Sequence, residues 1–198
     1  MIQYLVILLD DTSISYCHYQ NSKIERKLIS IEDLKAGIFF AMKENLMIQY
    51  VLPDYEMPVE YKEVMNSIDS HIFVPATCED KNAVEAADVI VLNDWSSLSV
   101  WTFDDSQAYV IRTAKEDYFN NYLKLKTVLE QVSRLNVVFT DVDTFTDTDF
   151  EKYQQSLDAL SLTITKEYAK GHPVQFNLLT DRMLLKEMNN CGAGDSNI

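Results

Sequence analysis

Short runs of β-branched and aliphatic residues alternate along this chain with longer stretches in which apolar positions recur every three or four residues. The short runs cover residues 4–9, 48–52, 72–74, 89–92, 108–111, 137–139 and 174–178, and most are apolar throughout. Uniform rather than alternating apolarity is what a strand covered on both faces requires, so the pattern predicts a parallel sheet. Three helices are predicted between the strands. The first starts at Ser30 with Asp33 and buries Ile31, Leu34, Ile38 and Met42; the second repeats Tyr118, Tyr122, Leu125, Leu129 and Val132. The third is capped by Thr148 with Glu151, carries Phe150, Tyr153, Leu157, Leu160, Ile164 and Tyr168, and stops at Gly171 and Pro173. Helix signals are weak between Ala76 and Ser106. The expected fold is α/β, a mostly parallel β/α partial barrel with strand 4–9 near one edge.

Length and composition keep that picture to one core. At 198 residues with 47% hydrophobic content, and with no low-complexity linker, the chain predicts one domain over residues 1–190. The apolar run 4–9 is too short to span a bilayer and no basic stretch precedes it, which predicts a cytoplasmic protein. Cys17, Cys78 and Cys191 are odd in number and far apart, a poor disulfide framework that suits a reducing compartment. A net charge of −14 repels phosphate backbones and anionic lipid. Expected partners are therefore cations or a basic segment of another protein, with no nucleic acid and no membrane.

The same strands share a chemical feature. Five of them run directly into aspartate, at Asp10-Asp11, Asp54, Asp94, Asp141 and Asp181. In a parallel β/α sheet these positions gather at the carboxyl ends of the strands, where such folds bind ligands. Asp10, Asp54, Asp94 and Asp141 thus form a candidate acidic rim for a metal or a basic partner; equally, aspartate is a common turn former and helix cap. Asp141-Val142-Asp143 resembles the aspartate pair of haloacid-dehalogenase-like phosphohydrolases, although Phe145 stands where that motif wants threonine or valine. Asp141, Asp143, Asp147 and Asp149 lack the glycine and the spaced glutamate of a calcium loop. His18, His71 and His172 have no ligand or triad spacing, and Trp95 and Trp101 flank a serine-rich segment that is either a peptide-docking loop or a pair of packing anchors.

The two ends of the chain carry further motifs. Asp10-Asp11-Thr12-Ser13-Ile14-Ser15-Tyr16-Cys17 is laid out like the cluster loop of a radical SAM enzyme, with Tyr16 and Cys17 matching and Asp10 and Ile14 standing where the first two cysteines belong. Pro53-Asp54-Tyr55-Glu56 occupies the place of the glycine-glycine-glutamate turn. At the other end, Cys191-Gly192-Ala193-Gly194 and Ile198 resemble the opening of a SPASM domain, so residues 191–198 are expected to begin a cysteine-rich segment of a longer protein. One cysteine cannot hold a cluster alone.

Together with the opening 4–13 and the segment 33–38, these ends make the chain similar to the N-terminal part of the CXXX repeat peptide maturase family. That is a pseudo-radical-SAM group associated with ribosomally made, cysteine-repeat peptides in Bacteroides-type bacteria. The resemblance implies a degenerate radical SAM core, a role in maturing a cysteine-repeat precursor peptide, and that peptide or another protein of the modification system as partner. It implies no cofactor in this fragment; an iron–sulfur cluster would belong to the full-length protein, with Cys191 as a candidate auxiliary ligand. The degenerate cluster loop of Asp10, Ile14 and Cys17 does not supply the three thiolates of radical SAM chemistry. Two alternatives stand beside this reading: a non-catalytic interaction scaffold, and a metal-dependent hydrolase using Asp141 and Asp143.

Overall fold

The computed structural model describes residues 4–10, 13 and 26–180. Uniformly apolar segments become seven strands: β1 (Tyr4–Leu8), β2 (Met47–Val51), β3 (Ser70–Pro75), β4 (Val89–Leu92), β5 (Ala108–Thr113), β6 (Arg134–Phe139) and β7 (Gln175–Phe176). All pair in parallel, in the sequential order β1 to β7. The expected α/β class and the place of β1 at an edge are both observed, as a partial β/α barrel.

Between the strands lie α1 (Ile31–Glu44), α2 (Val59–Met65), α3 (Lys81–Glu85), α4 (Lys115–Asn121), α5 (Leu125–Leu129) and α6 (Asp147–Ala169). Ser30 caps α1 by accepting the Asp33 N–H at 3.0 Å. Leu34, Ile38 and Ala41 are its buried positions, whereas the expected Met42 is 63% exposed, because it sits about 80° round the helix from Leu34. Asn45 ends the helix in the left-handed region, φ 54°. Gly37 lets α1 approach β1: a Cβ there would lie 3.3 Å from Ile7 Cδ1.

The other helices depart from the pattern in instructive ways. The stripe from Tyr118 to Val132 is not one helix but α4, a 3-10 turn over Tyr122–Lys124, and α5. The cap of α6 is Thr146 with Asp149 rather than Thr148 with Glu151; Lys115 binds Asp149 and Thr144 O, and so selects the earlier carboxylate. Phe150 and Tyr168, near the ends of this 23-residue helix, are exposed at 53% and 48%.

Register separates the two faces of the sheet. Ile7, Tyr50, Val74, Ile90, Tyr109 and Leu135 point to the helices and join Leu34, Ile38, Tyr118, Leu125 and Leu160 in one core cluster. Val51, Phe73, Val91, Val110 and Arg112 occupy the opposite, inner face and are buried there. Towards β1 this inner face opens: Tyr4, Val6, Leu8 and Met47 are 43%, 37%, 44% and 55% exposed.

Candidate functional site at the carboxyl ends of the strands

Two of the four rim aspartates come together. As β1 ends, Asp10 is 4% exposed and forms an antiparallel bridge with Leu28, while its N–H is accepted by Ser13 Oγ at 3.2 Å. The loop after β2 brings Tyr55 to it, and the phenol donates to Asp10 Oδ2 at 2.6 Å. Burial first, and then this bond and the charge of Asp10, push the Tyr55 phenol far above its ordinary range, so it stays a donor at any physiological pH. Arg26 completes the group: its guanidinium carbon lies 5.0 Å from the centroid of the Tyr55 ring, and Nη2 lies 3.6 Å from Asp54 Oδ1. An aromatic face beside a carboxylate therefore holds a guanidinium at the rim. Arg26 is largely exposed, and solvent keeps that contact weak.

Next along the rim is a second charged group that composition and spacing did not single out. The Glu79 N–H donates to Asp54 O at 2.9 Å, tying the loop after β3 to the loop after β2. Asp80 caps α3 through the N–H groups of Asn82 and Ala83, and its Oδ2 accepts from Lys62 Nζ at 2.7 Å. That ammonium holds the Asp80 carboxyl below the usual carboxylate range, and Lys62 also reaches Glu56 at 3.1 Å. Cys78, half-buried and in no disulfide, has its Sγ 4.0 Å from Asp80 O. Burial pushes its thiol up, with the charges of Asp80 and Asp54 adding to the shift, which leaves a protonated thiol rather than a nucleophile.

The remaining rim aspartates serve their own loops. Asp94 is exposed and accepts from the Ser96 N–H at 2.8 Å and from the Ser96 hydroxyl. Asp141 accepts the Lys115 N–H with both carboxylate oxygens, at 3.0 and 3.2 Å, and so caps α4 from the neighbouring loop. Asp143 is exposed in the turn that follows. Among the described residues no group of three or more histidine, cysteine, aspartate or glutamate side chains is placed to hold a metal ion.

No family model, no curated protein and no solved structure matches the chain.

Ile14, Cys17 and Cys191 lie outside the described residues, as do Asp11, His18, Asp181 and residues 191–198. Trp95 is buried and donates to Thr113 Oγ1 at 2.8 Å, which makes it a packing anchor; Trp101 is half-buried against the core. His71 faces Asp88 at 3.6 Å and His172 faces Glu167 at 3.2 Å, each next to a carboxylate and away from the rim. Among the described residues no helix is long and apolar enough to cross a membrane. The inner edge of Tyr4, Val6 and Leu8 was present in the sequence as a uniformly apolar strand, but its exposure follows only from the strand's place at the end of the order.

Proposed function

We propose that this chain is the peptide-holding part of a ribosomal-peptide modification system of the CXXX repeat peptide maturase type, acting in the cytoplasm on a cysteine-repeat precursor. The single observation that supports it most is the edge of β1. Among the described residues no strand pairs with its outer side, and beside that edge Tyr4, Val6 and Leu8 present an exposed apolar row on the inner face of the sheet. An extended peptide added at such an edge gains main-chain hydrogen bonds from the strand and apolar contact from alternate side chains. The rim supports a basic residue in that peptide, since Tyr55 and Asp54 already hold a guanidinium, and the net charge of −14 draws cationic segments in.

Radical chemistry is not assigned to these residues. Asp10, at the place of a first cluster cysteine, commits an oxygen to Tyr55 and offers no thiolate, so this position does not fit a three-thiolate cluster. Any cluster with Cys191 among its ligands belongs to the same proposal and carries no step here.

The test is titration of a labelled precursor peptide into the wild-type protein, Val6→Lys, Asp54→Asn and Asp94→Asn at low and moderate salt. Val6→Lys is expected to weaken binding at least about tenfold, or 1.4 kcal/mol. Asp54→Asn should weaken it and flatten its salt dependence, and Asp94→Asn should leave both unchanged. Equal affinity across all four proteins, or none in the wild type, overturns the reading.

A further inference from the structure

The helix layer carries a second apolar surface, unconnected with the β1 edge. Residues of α1 and α2 line an open groove of about 370 Å³: Lys35, Ile38, Phe39 and Met42 on one wall, Glu63 and Val64 on the other. Phe39 is 70% exposed and Met42 63%, an unusual degree for large apolar side chains three residues apart on one helix. Lys35 and Glu63 stand on opposite walls, and among the described residues neither makes an ion pair.

We infer that this groove is the interface of a two-fold homodimer. An isologous contact must be self-complementary, because the same patch meets itself. This patch has both halves of such a contact: Phe39 and Met42 project as knobs beside the groove that would receive their symmetry copies. It also carries one charge of each sign on opposite walls. A two-fold axis through the groove sets Lys35 of each copy against Glu63 of the other, forming two pairs at once. A partner of one charge sign would leave either Lys35 or Glu63 facing a like charge, whereas a second copy satisfies both.

Sedimentation velocity over a range of protein concentrations decides the matter, at moderate ionic strength so that repulsion between two chains of net charge −14 is screened. The wild type is expected to dimerise. Phe39→Glu should be monomeric throughout, with an unchanged circular dichroism spectrum because the side chain is so exposed in the single chain, and with a thermal midpoint that, unlike the wild type's, does not rise with protein concentration. Lys35→Glu and Glu63→Lys should each weaken the dimer about tenfold, since symmetry removes two pairs and creates two like-charge contacts. The double reversal Lys35→Glu with Glu63→Lys should restore it. A wild type that is monomeric at every concentration overturns the inference, and so does a dimer that survives Phe39→Glu. A double reversal no tighter than the single ones overturns it as well.

Discussion

Tyr50 has no exposed surface and its hydroxyl has no hydrogen-bond partner among the described residues. Burial pushes its phenol up to about 12. A buried hydroxyl without a partner costs its desolvation and returns nothing, so Tyr50→Phe should stabilise the fold by about 1 kcal/mol in urea unfolding at neutral pH. The sign in alkali follows from the raised value. Unfolding lets the phenol ionise from its ordinary value of about 10, whereas the folded state keeps it neutral towards 12, so the wild type loses stability as pH rises through that interval and the variant should lose less. A variant less stable than wild type at neutral pH would mean that the hydroxyl is satisfied after all. Single residues also show where sequence reading stops. Strands running into aspartate are visible in the sequence, but which aspartates meet depends on distant groups. Tyr55 reaches Asp10 across 45 positions and stacks under Arg26, which faces Asp54, whereas Asp141 turns to the Lys115 N–H.

The start of α6 shows how one side chain fixes an element. Thr146 and Asp149 form a capping box, and Lys115 Nζ, beside the Phe145 ring, donates to Asp149 at 2.9 Å and to Thr144 O at 2.6 Å. The Lys115 bond first, then those from Thr146, hold the Asp149 carboxyl well below the usual carboxylate range. A depressed carboxylate contributes stability that is complete above its unfolded value of about 4 and is lost as pH falls below it. Asp149→Asn should therefore be less stable than wild type at neutral pH and should lose less on acidification, with the two unfolding midpoints drawing together as pH falls below about 4. Glu167, lowered by Lys170 and His172, leaves the variant a residual slope. Parallel midpoints across that range would show that the clamp carries no charge-dependent stability. At this scale the seven strands and the long helices were legible, because each carries several apolar positions at one period. The seven-residue α2 and five-residue α3 were not, since so few turns display no stripe, and the cap of α6 shifted because its selecting cation is 34 residues away.

For the whole molecule, the sequential order of the strands governs both stability and access. A sheet that adds each strand beside the last buries its middle: β4 and β5 are buried at nearly every position, while among the described residues β1 has a neighbour on one side only and β7 is two residues long. Apolar content alone could not foretell this gradient, because β1 is as apolar in sequence as β4; position in the order makes the difference. The outermost strands are the ones that open at least cost, through local fluctuations rather than global unfolding. Native-state hydrogen exchange should accordingly rank β4 and β5 slowest, near the global unfolding free energy, with β2, β3 and β6 intermediate and β1 and β7 fastest. Added precursor peptide should slow β1 selectively, because strand addition at that edge gives its outward N–H and C=O groups partners and leaves β7 untouched. Protection of β1 equal to that of β4 in the free protein would show that its edge is already covered, and the site for a peptide would then have to lie elsewhere on the rim.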